Sequence, residues 1–352
     1  MWAGFAVYLG ALTLAPRLDR RLVWGTIAVL VVLFAFLPPL LSHDAYSYVD
    51  YARLAVRHGL DPYVQAPASA PADPAFPHVT WTETTSAYGP LFTLATYPLA
   101  WLPVEAAVYL LKAASAAAVL AIACLVARLA PARGVDPPRA AIFVALNPLV
   151  LVHVIGGPHN DGLAVLLMTL GLAGILTDRE GPGAVALVSA AATKATAAIA
   201  IPFALLGSAR RPRFLLGGLA TLVLVALAAH LAFGWNWLHA FTMAGENQGR
   251  TSHMSIPITT ARLTGLDPDW IRPAFLALYA GLVIYLLIWT HRGNDWLRAT
   301  AWATTGLLLA SSWLLPWYLL WPLPAAALSR DRLLQFLLLG LTAYQLGARI
   351  PL

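Results

Sequence analysis

One pattern runs through the whole chain: long apolar runs separated by short loops that carry arginine. A stretch of about 20 apolar residues is what a helix needs to cross a bilayer. Within lipid, such a stretch has to be helical, because its backbone groups find no water to bond. Runs of this kind fall near residues 2–15, 22–41, 105–130, 140–156, 161–177, 214–233, 273–290, 297–314, 317–329 and 333–349. The expected fold is therefore an all-α polytopic membrane protein with about 10 transmembrane helices. Only 11% of the residues are charged and 60% are hydrophobic, against about a quarter charged in soluble domains. That balance excludes a soluble enzyme, a disordered chain and a nucleic-acid-binding domain. No fixed-period repeat or low-complexity linker interrupts residues 1–352, so a single domain is expected.

The basic residues give the orientation. Lysine occurs only at Lys112 and Lys194, so the formal charge of +6 rests on arginine. Arginines concentrate in cytoplasmic loops of membrane proteins. Here they cluster at Arg17, Arg20 and Arg21, at Arg128, Arg133 and Arg139, at Arg210, Arg211 and Arg213, and at Arg330 and Arg332. The two long loops, 42–104 and 234–272, hold only Arg53, Arg57, Arg250, Arg262 and Arg272, which places both outside the cell. Met1–Ala15 lacks a basic start and leads straight into an arginine loop, so it reads as a first span rather than a removable signal. Pro90–Pro103 is too short to span and is expected to dip into the outer leaflet. Pro182–Gly207 has basic residues on both flanks, which predicts a re-entrant hairpin from the cytoplasmic side with Lys194 near its tip. The single Cys124 forms no disulfide framework.

The polar residues that remain sit at predicted outer ends of spans. Ser42-His43-Asp44-Ala45-Tyr46-Ser47-Tyr48 follows the second run directly. Ala45–His58 has the periodicity of an amphipathic helix, with Gly59 as its stop. Asp44 has two readings: an N-cap of that helix, or a general base at the membrane boundary. Tyr63, Trp81 and Tyr88 are either interfacial anchors or surfaces for stacking a sugar. In the turn Gly156–Gly162, Asn160 or Asp161 caps the next helix, or His159, Asn160 and Asp161 join Asp44 in a shared polar site. His153 reads as a satisfied core histidine. His159 and Asp161 supply half a metal site with no second ligand pair at a suitable spacing, so no metal is expected. Lys194 is an intramembrane charge, a type of residue that is functional by default, whereas Lys112 lies nearer a span end and can snorkel. In Glu246–His253, Arg250 and His253 are the candidates for gripping a phosphate. Trp313–Trp321 marks a helix break where an aromatic belt or a cavity lining, Tyr318 included, are both open.

Several of these motifs together resemble the actinobacterial polyprenol-phosphomannose-dependent α-1,6-mannosyltransferases, within the GT-C glycosyltransferases. They are Ser42-x-Asp44-x-Tyr46-Ser47-Tyr48, Gly59-Leu60-Asp61-Pro62-Tyr63, Tyr88-Gly89-Pro90-Leu91, His159-Asn160-Asp161, Lys194 with Pro202, and Trp317-Tyr318-Leu319-Leu320-Trp321. The order and spacing of the set, over residues 42 to 322, carry the likeness. The sequence departs from the family pattern in a short amino end and in Thr82–Ser86, which stands where a more proline-rich approach to Tyr88 is expected.

The resemblance implies a GT-C-like helix bundle in the plasma membrane, with Asp44 as the catalytic base in the first extracytoplasmic loop. It implies a polyprenyl-phosphate sugar donor, with mannose the expected sugar, a lipid-linked glycan or other cell-envelope acceptor, membrane lipids as surroundings and no cofactor. Asp44 would deprotonate the acceptor hydroxyl as it attacks the anomeric carbon, turning a β-linked donor into an α product. Arg250, Lys194 and His253 are the expected phosphate partners. His43, Tyr46, Tyr48, Tyr88, His159, Asn160, Asp161 and Tyr318 are the expected contacts for sugar and acceptor. A flippase or transporter of a lipid-linked or small polar solute is the alternative, although paired repeats with matching broken helices are absent. A structural partner of an envelope complex is a third reading, which leaves the polar loop residues unexplained.

Overall fold

Alanine- and leucine-rich runs favour helix, and glycine, proline and Asx residues punctuate them. A computed structural model describes residues 1–246 and 249–347, with no strand among them. The helices are α1 (Trp2–Leu14), α2 (Arg20–Phe36), α3 (Asp44–His58), α4 (Pro90–Thr96), α5 (Val104–Leu129), α6 (Pro137–Ala145), α7 (Asp161–Leu176) and α8 (Glu180–Thr193). They continue as α9 (Ala200–Gly207), α10 (Arg211–Phe233), α11 (His239–Glu246), α12 (Ile256–Thr264), α13 (Pro268–His291), α14 (Trp296–Ala310), α15 (Leu323–Leu328) and α16 (Arg332–Gln345). A π-helical segment, Val150–Gly156, follows α6 at an angle of 60°.

Each of the ten apolar runs contains helix, but their lengths differ from the expected count of spans. Among the described residues, only α5, α10 and α13 are individually long and apolar enough to cross a membrane. A fourth is added if α6 and the π segment act as one bent span. Of the rest, α1, α2, α7, α14 and α16 are continuous helices of 13, 17, 16, 15 and 14 residues, and the others are interrupted. The run 317–329 becomes a 3₁₀ turn over Pro316–Leu320 followed by α15. The final run is helical to Gln345, and its end at 348–349 lies outside the described residues. Pro90–Pro103 folds as α4 and a 3₁₀ turn over Tyr97–Trp101.

The main core is built from α1, α2, α5 to α9 and α14 to α16, with Ile27, Ile122, Ile142, Leu149, Leu172 and Leu187 fully enclosed. α7 and α8 pack closely through small residues, Gly174 lying against Gly183. In contrast, α10 and α13 turn large apolar side chains outward, among them Leu216, Leu231 and Leu278. An apolar surface this extensive fits lipid rather than water, and the chain is accordingly a membrane protein.

The helix expected over Ala45–His58 is α3, closed by Gly59 in the left-handed conformation at φ 66°. Lys194 interrupts the segment 182–207: α8 ends at Thr193, and Lys194 is extended at φ −150° and ψ 118°.

Candidate active site

α3 begins at Asp44, and the local geometry decides between the two readings of that residue. The Asp44 backbone N–H is taken by the Ser42 hydroxyl at 3.2 Å, while the Asp44 carboxylate makes no capping bond. It points away from the helix start instead, with Oδ2 3.3 Å from Nδ1 of His159. The helix period then lines up Asp44, Ser47, Tyr48 and Tyr51 on one face, and all four line one cavity of about 170 Å³. Burial on its own would raise the Asp44 carboxyl, but the facing His159 and the nearby Lys194 charge overcome this and hold it below the usual carboxylate range.

His159 reaches that position through a chain of backbone contacts. The π segment ends at Gly156, whose carbonyl accepts from Leu40 N–H at 3.0 Å. Gly157 must be glycine here, since a Cβ would sit 2.5 Å from the Leu40 carbonyl oxygen. The two strands of chain that carry Asp44 and His159 are thereby sewn together. The imidazole is fully buried and stacks on Trp317 at 3.6 Å and 14°. Lys112 of α5 anchors the same junction, donating to the carbonyls of Ile155 at 3.2 Å and Gly156 at 2.6 Å. It does not snorkel: it is fully enclosed.

Asp161 opens α7, yet it is not a side-chain cap either. Its carboxylate accepts from Lys194 Nζ at 2.8 Å and from the Trp321 indole. Lys194 also lies over the rings of Tyr318 at 4.9 Å and Trp321 at 5.6 Å. The break that frees Lys194 is braced by Gly89: its N–H donates to the Thr193 carbonyl, and a Cβ there would meet the Ala192 oxygen at 2.1 Å. That close approach explains the glycine in Tyr88-Gly89-Pro90. Tyr63 is buried and bonds the Tyr88 carbonyl at 2.8 Å, so it is a structural pin rather than a sugar contact.

The second long loop supplies the other wall. Ser252 exchanges hydrogen bonds with the backbone of Ser312 and Leu314, which fixes the loop against the end of α14. Arg250 enters the cavity between Trp81 at 5.0 Å and Trp313 at 6.0 Å, and it has no carboxylate partner among the described residues. The neighbouring Asn247 and Gln248 lie outside the described residues.

Of the expected site residues, the cavity gathers His43, Asp44, Tyr48, Tyr88, His159, Asp161, Lys194, Arg250 and Tyr318. Three do not line it. His253 is exposed and faces Arg262 instead. Tyr46 points to the opposite side of α3 and stacks on His78 at 5.0 Å. Asn160 is buried behind the wall, where its N–H meets the Tyr48 hydroxyl at 3.3 Å. His153 is a buried histidine but not a satisfied one, as neither ring nitrogen has a partner. Ser47 and Tyr51 were absent from the expected set, although their spacing from Asp44 on a predicted helix marks them. Among the described residues, no three His, Cys, Asp or Glu side chains converge as a metal-ligand set.

The arrangement provides a carboxylate beside an imidazole, one cation paired with Asp161 and one cation with no carboxylate partner among the described residues. That is the equipment for deprotonating a hydroxyl next to a departing anion.

Comparison with known proteins adds the following. The family model described as alpha-(1->6)-mannopyranosyltransferase, N-terminal domain, matches residues 1–210. The chain is 31% identical to alpha-(1->6)-mannopyranosyltransferase A of Mycobacterium tuberculosis, over 93% of this chain and 70% of that protein. It is 34% identical to the Corynebacterium glutamicum protein of the same name, over 54% of this chain and 39% of that protein. It is 28% identical to a probable alpha-(1->6)-mannopyranosyltransferase of Mycolicibacterium smegmatis, over 91% of this chain and 67% of that protein. No solved structure matches. The family match takes in Asp44, His159, Asp161 and Lys194, while Arg250 and Tyr318 lie beyond residue 210.

Proposed function

The chain belongs to the alpha-(1->6)-mannopyranosyltransferase family, and on that premise we propose that it moves mannose from a polyprenyl-phosphate donor to a hydroxyl of a lipid-linked glycan at the extracytoplasmic face of the plasma membrane. Family membership makes it a mannosyltransferase and decides against the transporter alternative. The observation that carries the finer reading is Asp44: its carboxylate is turned into the cavity, uncapped and 3.3 Å from His159.

The proposed step is a single displacement. The acceptor oxygen attacks the anomeric carbon, and its proton passes to the Asp44 carboxylate. The bond from that carbon to the phosphate oxygen breaks, and the polyprenyl phosphate leaves with the electron pair. Attack from the face opposite the leaving group inverts a β-linked donor to an α product. The leaving phosphate is already a weak base, so it needs positive charge rather than a general acid. Arg250 is the better placed of the two cations, because Lys194 is paired with Asp161. His253 has no part in this step, since it faces Arg262 away from the cavity.

For the membrane arrangement we propose one domain of about ten crossings, with loops 42–104 and 234–272 extracytoplasmic and the segment around Lys194 re-entrant from the cytoplasmic side. Supporting this, both long loops wall the same cavity, Trp81 from one and Arg250 from the other. That shared wall is consistent with the two loops lying at one end of the bundle.

Washed membranes containing the chain, given radiolabelled mannosyl polyprenyl phosphate, are expected to label a membrane glycan. Preference for a different hexosyl polyprenyl phosphate would overturn the choice of sugar. In a Cys124→Ala background, Ser69→Cys should react with an impermeant maleimide in intact cells and Ala209→Cys should not. The opposite labelling would invert the orientation.

A further inference from the structure

A second concave site lies at the far end of α14 from Asp44. Ser311, just past the helix, lines the Asp44 cavity, whereas Arg298 in its first turn lines this one. A 15-residue helix is about 22 Å long, so the two sites lie at opposite ends of α14. The cavity measures about 560 Å³ and is walled by Trp289, Arg298, Ser329, Arg330 and Arg332 around Asp331.

Its charges do not cancel. Asp331 is buried and fully engaged, accepting from Arg298 Nε at 2.7 Å, from the Trp302 indole at 2.8 Å and from Leu334 N–H at 3.1 Å. Asp295 is held by Arg133. Arg330 and Arg332 have no carboxylate partner among the described residues. Arg330 is also held by the fold. Its backbone sits at φ 57°, a conformation that bulky L residues rarely adopt. Its guanidinium lies against Gly134, where a Cβ would come within 3.2 Å of Nη1. With both carboxylates of the pocket engaged by other partners, two guanidinium groups at its mouth call for an anion from outside, and planar guanidinium forks match phosphate geometry.

The neighbouring surface says what else that anion carries. From Arg332, α16 continues with Leu333 and Phe336, both 69% exposed. An apolar ridge starting directly beneath a cationic rim suits acyl chains below a headgroup, and basic pockets at helix ends bind anionic lipids in this way.

We propose that this pocket binds the phosphate of an anionic phospholipid in the leaflet opposite the Asp44 cavity, with the acyl chains along Leu333 and Phe336. The site goes beyond the transferase reading and rests on it only for the side, which the proposed orientation makes cytoplasmic. Binding, not catalysis, is the readout, so the lipid site and the transferase can fail separately.

The test is native mass spectrometry of the full chain in detergent, with phosphatidylglycerol or phosphatidylcholine added at equal concentration. The wild type should retain phosphatidylglycerol several-fold more strongly. An Arg330→Gln, Arg332→Gln double variant should lose that preference, and an Arg210→Gln, Arg211→Gln control should keep it. If the double variant folds poorly, Arg332→Gln alone, at an exposed position, should still reduce retention. Inorganic phosphate at the same concentration should not displace the lipid. Equal retention of both lipids by the wild type, an unchanged preference in the double and single variants, or full displacement by inorganic phosphate would each overturn the proposal.

Discussion

Oδ2 of Asp44 and Nδ1 of His159 lie 3.3 Å apart, brought together from the first turn of α3 and the turn before α7. The pairing matters because it replaces a cap. An aspartate at a helix start ordinarily turns back onto backbone N–H groups, but here Ser42 takes that role and leaves the carboxylate free. The carboxylate keeps its negative charge through the imidazole opposite and through Lys194, against the cost of burial.

Asp44→Asn should keep the fold and lose the base. A general base typically contributes about 10²–10⁴ in rate, so transfer per folded protein should drop by that order while detergent-stable yield stays level. Asp44→Glu should also fail, because one added methylene moves the carboxylate off the attack line. The depressed pKa adds a pH signature. The acid limb of the wild-type rate should fall below the ordinary aspartate value of 3.8, and His159→Ala should move it upward. A fully active Asp44→Asn enzyme would remove the catalytic assignment.

Arg250 and Lys194 should separate in a donor titration. Arg250 lies near the indoles of Trp81 and Trp313 and has no carboxylate partner among the described residues, so Arg250→Ala removes a cation from the cavity and should raise the KM for the polyprenyl-phosphate donor about tenfold or more. Lys194→Ala instead strands the buried Asp161 carboxylate, and breaking such a pair costs about 3–5 kcal/mol. Its main effect should be lost yield and lowered Tm, partly restored by Lys194→Ala with Asp161→Asn. A stable Lys194→Ala protein with a selectively raised donor KM would assign the phosphate to Lys194.

Much of this site is legible in the sequence, and the gaps have physical causes. The helix after Ser42 and its glycine stop follow from periodicity and punctuation, and the interruption at Lys194 lies where the basic flanks of 182–207 suggest a hairpin tip. Asp44, His159, Asp161 and Lys194 stand out because charge is rare in so apolar a chain. Hydropathy carries no information on which way a side chain near a helix end turns. Lys112 reads as a snorkelling lysine, yet α5 packs it against a π-helical segment whose carbonyls need donors, and that irregularity has no periodic signature. Tyr46 and His253 fail for a related reason: a residue can lie in the right loop and face the wrong side.

Lys112→Met conserves much of the volume but leaves two buried carbonyls, those of Ile155 and Gly156, without this donor. The Gly156 carbonyl keeps its bond from Leu40 N–H, and a buried carbonyl left without a donor costs about 1–3 kcal/mol. Gly156 also holds Leu40, so the Asp44 and His159 segments should drift together. The expected result is a lower Tm and, per folded molecule, about a tenfold loss of kcat with a smaller change in donor KM, since small misplacements at a reacting centre are costly. Wild-type stability and kcat in Lys112→Met would show that the junction holds without it.

Asp50 gives a pH dependence of the opposite sign to Asp44. It lies inside α3, 1% exposed, and neither carboxylate oxygen has a hydrogen-bond partner. Burial, helped by the Asp73 charge and opposed by His58 and Arg53, pushes its pKa up to about 7 from 3.8. A raised folded-state pKa means that the folded chain binds a proton the unfolded chain has released. The stabilising contribution is therefore complete below the unfolded value of 3.8 and is lost as pH rises towards about 7. The slope in that window is at most about 1.4 kcal/mol per pH unit. Asp50→Asn mimics the neutral acid and removes this component. Its Tm should match the wild type near pH 4 and exceed it by a margin that grows to about pH 7, then levels off. Thermal unfolding of both proteins across that range is the measurement, and a Tm difference independent of pH would mean that Asp50 stays ionised in the folded chain.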